Sequence, residues 1–221
     1  SLYPMEGFIA SNYTTQGYFV FFPDIVFDRK ATGQSALDCT LAGVQAVLKR
    51  GEVNPKKMGL IGHSFGGYEA NYIATQTDLF ATVVSGAGVV DLPSFYLNMN
   101  WRTGLPDMWR MEFHQWRMGC SLFEDRNAYA LNSPLQFVES IKSPLLLWSG
   151  KNDLHVDWQQ NVMFYLAMRR LKKPATLLLY PNEYHALEEL PNRADLRQRM
   201  EEWFAHYLKD EMPADWIKEA M

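Results

Sequence analysis

Between a short apolar run, Met58-Gly59-Leu60-Ile61, and a segment of helical pattern, Tyr68 to Ala74, the chain reads Gly62-His63-Ser64-Phe65-Gly66-Gly67. Strand, Gly-x-Ser-x-Gly, helix is the order needed for a sharp strand-to-helix turn with a serine exposed at its apex. Such a turn strains the serine backbone and leaves no room for neighbouring side chains, so Gly62 and Gly66 are expected to be glycine for steric reasons. The helix that starts there points its first N–H groups and the positive end of its dipole at the apex. This context fits a nucleophilic Ser64, and with it a serine hydrolase. The alternative is a glycine-rich turn with an incidental serine.

A turn of this kind belongs to a parallel sheet, and the rest of the chain alternates short apolar runs with helical patterns. The first run, Gly17-Tyr18-Phe19-Val20-Phe21-Phe22-Pro23, is apolar throughout and predicts a strand covered on both faces. Ser35 is placed to cap a helix, with Asp38 near its positive end. Leu37, Leu41, Val44 and Leu48 recur at helical spacing before Lys49-Arg50-Gly51 closes that helix. Further strands are expected at Lys57–Gly62, Ala81–Gly86, Pro144–Gly150 and Ala175–Tyr180. A helix is expected from Asp157 to Leu171, stopped by Lys172-Lys173-Pro174, and a last helix carries Leu196, Met200, Trp203, Phe204, Tyr207 and Leu208 on one face. The fold class is therefore α/β, with a mostly parallel sheet flanked by helices. Residues 91–143 break the alternation and are rich in Trp, Met and Arg. They read as a cap-like insertion or pocket wall over the carboxyl ends of the strands, or as a crossover of several helices. Residues 1–221 show no clear linker and are taken as a single domain.

Composition narrows the partners. A net charge of −4 gives no basic footprint, so nucleic acid is not expected. No apolar run reaches the roughly 18 residues of a membrane span. The two cysteines, Cys39 and Cys120, supply neither a disulfide framework nor a metal-binding spacing, and Cys39 reads as a buried, inert thiol. No metal or other cofactor is expected. Ser1-Leu2-Tyr3-Pro4 lacks the features of a signal peptide, and the chain does not begin with Met, which suggests a trimmed or processed piece. The compartment, cytoplasmic or periplasmic and secreted, is left open.

A serine hydroxyl needs a base within hydrogen-bonding reach, and the base needs an orienting acid. Of the five histidines, His185 follows the last predicted strand and precedes the final helix, in a loop at the same end of the sheet as Ser64. His206 falls inside the final helix. His63 adjoins Ser64 with its side chain expected to point away, as packing or as part of the shell around the site. His114 lies in the insertion, where it reads as a surface residue or one that could touch substrate, and His155 reads as a loop residue. Among the acids, Asp153 stands in a glycine-containing turn directly after a strand, where it can face His185. Asp91 follows the strand before the insertion, Asp157 is placed to begin a helix, and Asp24 to fix a turn. Ser64, Asp153 and His185 are the expected catalytic set, with the backbone N–H of Phe65 as oxyanion donor.

Three blocks, Gly62-His63-Ser64-Phe65-Gly66-Gly67-Tyr68, Ser149-Gly150-Lys151-Asn152-Asp153 and Tyr184-His185, resemble the motifs of the prolyl oligopeptidase (S9) family of serine peptidases. Ser133-Pro134 and Ala167-Met168-Arg169-Arg170-Leu171 resemble it as well, so that the likeness spans roughly residues 15 to 210. The resemblance implies an α/β-hydrolase catalytic domain that cuts peptide bonds in short peptides through an acyl-enzyme on Ser64. It implies a peptide substrate and a β-propeller in the same longer chain. It also implies that further strands precede the run at Gly17, and that a tyrosine from one of their loops completes the oxyanion hole. Tyr3 and Tyr13 do not match that motif. By analogy with the family, Tyr68, Val89, Leu92 and Phe95 would wall the pocket for the side chain before the scissile bond, and an apolar wall would suit proline or another modest apolar residue. Arg102, Arg110 and Arg117 could instead read an acidic group, although surface arginines on a helical insertion are the commoner case. An ester or small-amide hydrolase of the same fold, or an inactive fragment acting through self-association, are the alternatives.

Overall fold

The computed structural model describes residues 9–220, so that Tyr3 lies outside it. In chain order the elements are α1 (Ala10–Thr14), α2 (Thr32–Leu48), β1 (Gly59–His63), α3 (Phe65–Gln76) and β2 (Thr82–Gly86). Next come α4 (Leu92–Tyr96), β3 (Met99–Asn100), β4 (Leu105–Pro106), α5 (Met108–Glu112), α6 (Arg126–Leu131) and a 3-10 turn at Pro134–Ser140. The chain continues with β5 (Leu145–Gly150), α7 (Gln159–Arg170), β6 (Ala175–Tyr180), α8 (Leu190–Lys209) and α9 (Asp215–Ala220).

Four strands form one parallel sheet in the order β1-β2-β5-β6. Ile61 pairs with Val84, Val84 with Leu146, and Leu146 with Thr176, which brings the carboxyl ends of all four strands to one rim. The alternation of side chains along a strand feeds two cores. Val83, Leu145 and Leu147 pack with Ala36, Leu37 and Val44 of α2, Ala70 and Ile73 of α3, and Phe164 and Met168 of α7. Val84, Leu146 and Trp148 pack on the opposite face with Leu196, Met200, Trp203 and Phe204 of α8. The stripe expected on the final helix is thus core. No described helix is long and apolar enough to cross a membrane.

Three expectations near the N-terminus are overturned. Residues 18–28 form no strand, and Phe19 and Phe22 are 72% and 70% exposed. Burial preference alone does not make a strand: the segment must lie within reach of another strand's backbone. Here it runs past the outer side of β1 across a cavity of about 560 Å³ lined by Phe19, Phe21, Leu60, Ala70 and Phe204, too far to join the ladder. Asp24 lies in this irregular stretch rather than in a turn. Ser35 is not the cap of α2, which begins at Thr32 behind Ala31. Its hydroxyl instead accepts the N–H of Asp28 at 3.0 Å, which holds the preceding loop.

Residues 91–143 form α4, α5, α6 and a two-stranded antiparallel hairpin, β3–β4. They close over a third apolar cluster that includes Phe95, Tyr96, Met111, Trp116, Met118 and Tyr129. Tyr68 of α3 belongs to this cluster, and the ring of Phe65 meets that of Trp116 edge-on at 5.1 Å. The segment therefore packs against the first turn of α3, beside Ser64.

Candidate active site

Ser64 stands between β1 and α3 with φ +59° and ψ −118°, a left-handed conformation that L-residues adopt only under constraint. Its N–H donates to Gly86 O at 2.8 Å, which ties the turn to β2. A Cβ on Gly62 would lie 2.0 Å from Gly66 O, and one on Gly67 would lie 2.6 Å from Gly86 O. Gly66 differs from expectation: a Cβ there would meet nothing nearer than Glu69 Oε2 at 3.9 Å. The close approaches are of Gly62 to the helix and of Gly67 to β2, so crowding demands glycine at those two positions and not at Gly66. Phe65 is the first residue of α3, and its N–H has no intrahelical acceptor.

The loop after β6 brings His185 to Ser64. His185 Nε2 lies 2.7 Å from Ser64 Oγ, and Nδ1 lies 2.7 Å from Asp153 Oδ2. The Asp153 side chain is fully buried, and its Oδ1 accepts the N–H groups of His155 at 2.8 Å and Val156 at 3.0 Å. These bonds fix the carboxylate so that one oxygen is left for the imidazole. The two loops are joined directly, because Asn152 N–H donates to Glu183 O at 2.8 Å. Glu183, with no exposed surface, uses its carboxylate to accept from Glu188 N–H, Glu189 N–H and Asn192 Nδ2 at the start of α8.

The other candidates fall elsewhere. Asp91 caps α4 by accepting Ser94 N–H, and Asp157 accepts Gln159 N–H at the start of α7. His206 Nδ1 contacts Glu211 O, and His114 is exposed against Trp109. Arg110 pairs with Asp107 at 3.2 Å, and Arg117 lies over the Phe27 ring. Tyr68, Val89, Leu92 and Phe95 are 0–1% exposed within the third apolar cluster.

Two further histidines adjoin the site: His63, in keeping with a place in its shell, and His155, expected as a plain loop residue. His63 stacks on Trp148 and reaches His185 O with Nε2 at 2.7 Å, so the residue before Ser64 holds the main chain of His185. Burial, then the neighbouring His185, lowers His63 to about 4, which leaves it neutral and able to donate that bond. The His155 ring lies 5.1 Å from that of His185. A lone imidazole in a loop gives no sequence signal of either role; the two-residue offset of His155 from Asp153 was the one available pointer. Among the described residues, no group of three His, Cys, Asp or Glu side chains could hold a metal ion.

Such a constellation can transfer a proton from a serine hydroxyl to an imidazole as the oxygen attacks a carbonyl carbon. A family model described as "Prolyl oligopeptidase family" matches residues 14–211. Dipeptidyl-peptidase 5 of Porphyromonas endodontalis is 28% identical over 182 residues, covering 80% of this chain and 25% of that protein. The acylamino-acid-releasing enzyme of Rattus norvegicus is 28% identical over 156 residues, covering 69% of this chain and 21% of that enzyme. Among solved structures, a puromycin-hydrolyzing peptidase of Mycobacterium tuberculosis aligns with a TM-score of 0.72 and 26% identity over 81% of this chain and 26% of that one. The chain thus spans about a quarter of the length of the proteins it matches.

Proposed function

The chain belongs to the prolyl oligopeptidase family of serine peptidases, and from that premise we propose that it carries the catalytic centre of a peptidase acting on short peptides. The observation that supports this reading most directly is the unbroken relay Ser64 Oγ, His185 Nε2, His185 Nδ1, Asp153 Oδ2, with both contacts at 2.7 Å. In the proposed reaction Ser64 Oγ attacks the scissile carbonyl while its proton passes to His185 Nε2. Asp153 holds the ring in the tautomer with hydrogen on Nδ1 and stabilises the imidazolium. The N–H of Phe65, backed by the α3 dipole, receives the developing oxyanion. His185 then gives its proton to the departing amine, leaving an ester on Ser64. Water, deprotonated by the same imidazole, releases the acid.

The apolar cluster around Tyr68, Val89, Leu92 and Phe95 backs the site from behind in this reading, and residues 91–143 act as its cap. Because the matched relatives are about four times longer, the proposal extends to a whole protein that also carries the β-propeller implied by the family resemblance. Self-association of the chain belongs to the same proposal.

A fluorophosphonate probe tests the centre. We expect stoichiometric labelling at Ser64, lost in Ser64→Ala and slowed at least about a hundredfold in His185→Ala, as for removal of a catalytic base. Undiminished labelling of the Ser64→Ala protein would end the proposal. Peptide anilides compared with short acyl esters separate a peptidase from an esterase of the same fold.

A further inference from the structure

The tip of the β3–β4 hairpin brings a cation to the mouth of the candidate site. Arg102 is exposed, and its Nη1 lies 3.4 Å from His155 Nε2. The other ring nitrogen of His155 faces Asn100 Nδ2, also at 3.4 Å. Asn100 cannot turn its amide oxygen to the ring without loss, because Oδ1 already accepts the N–H groups of Arg102 at 3.2 Å and Thr103 at 3.3 Å. Both imidazole nitrogens therefore face donors. A neutral imidazole has one acceptor nitrogen and a protonated one has none, so this corner holds more donors than acceptors. Among the described residues, Arg102 forms no ion pair with a carboxylate, whereas Arg110 is held by Asp107 and Gln115. Burial and then His185 lower the His155 pKa; Asp153 opposes them, Arg102 and Arg110 add to them, and the net shift is downward, against a second positive charge in this corner.

A corner with surplus donors and an unneutralised guanidinium, one ring away from His185, is complementary to a planar anion. We infer that Arg102, with Asn100 and His155 beside it, recognises a carboxylate of the substrate close to the reacting bond. The inference rests on the function proposed above and names its substrate class: acyl compounds or peptides bearing an anionic group. A guanidinium fork matches a carboxylate through two parallel N–H donors, which an ammonium cannot reproduce. The carboxylate can come from a free peptide C-terminus or from an Asp or Glu side chain.

Equilibrium binding separates this inference from the nucleophile assignment. In the full chain carrying Ser64→Ala, tetra-alanine is titrated calorimetrically as the free acid and as the carboxamide. Acetyl-Ala-Asp-Ala-amide is compared with its Asn counterpart in the same way. The acid of at least one pair is expected to bind about fivefold more tightly, the contribution of an exposed charge pair. The pair that shows the difference identifies the source of the carboxylate. Adding Arg102→Gln should bring the ratio close to one, and Arg102→Glu should invert it. Equal binding within both pairs, no binding of either acid at millimolar concentration, or a preference that survives Arg102→Gln overturns the inference. Loss of Ser64 labelling in the wild type with the Arg102-dependent preference intact would overturn the nucleophile alone.

Discussion

Replacing Glu183 with glutamine should loosen the loop that carries His185 and destabilise the whole protein. The Glu183 carboxylate accepts Glu188 N–H at 2.6 Å through Oε2, and Glu189 N–H at 3.1 Å and Asn192 Nδ2 at 2.6 Å through Oε1. It sits at the positive end of α8, where an anion is favoured. Glutamine keeps the shape and one oxygen. If that oxygen serves Glu189 and Asn192, the new NH2 group confronts the N–H of Glu188, donor against donor, in a site without exposed surface. One charge-assisted bond is lost, at about 1.5–3 kcal/mol, and the other two weaken as the charge disappears. The total is roughly 2–4 kcal/mol, which lowers the melting temperature of a chain this size by about 5–15 °C. Circular dichroism melts give that number directly. Fluorophosphonate labelling well below the melting point reads the site, and should slow because the loop that carries His185 is held less firmly to the start of α8. A Glu183→Gln protein that melts within about one degree of wild type would refute the assigned bonds.

Three further substitutions probe the same framework. Glu69 of α3 is raised from 4.5 to about 7 by burial, with Arg117 opposing the shift, so the native state holds this proton more tightly than the unfolded chain does. Stability is then lost as pH rises from about 4.5 through about 7, and Glu69→Gln should match wild type near pH 4 but exceed it by about 2–3 kcal/mol near pH 8, as read from urea melts; a difference that does not change with pH would contradict the assignment. Gly62→Ala sets a Cβ 2.0 Å from Gly66 O and should abolish folding or labelling, whereas Gly66→Ala, with 3.9 Å of clearance, should keep both. Equal behaviour of the two alanine variants would remove the steric argument.

The four sheet strands could be read from sequence to within two residues because a parallel strand covered on both faces is a continuous apolar run, and each run here had a helix after it. Gly17–Pro23 has the same composition and no such outcome. What decides is the presence of a neighbouring backbone, and an apolar run carries no information about that. The convergence of Ser64, Asp153 and His185 was legible for a geometric reason: each follows a strand, and parallel strands end at one rim. The bond from His63 to the main chain of His185 and the place of His155 beside the site were not legible, because they depend on which loops pack together rather than on any local pattern. Gly67 was overlooked for the same reason, since the atom that forbids a side chain there belongs to β2, 19 residues further along the chain at Gly86.

The hydroxyl of Ser64 and the imidazole of His185 come from points 121 residues apart. No local fragment, and no partly assembled one, can make them neighbours; the completed sheet alone does so. Covalent capture of the serine would therefore count intact molecules one by one, and in a crude mixture it would take a census of correctly assembled protein that bulk spectroscopy cannot.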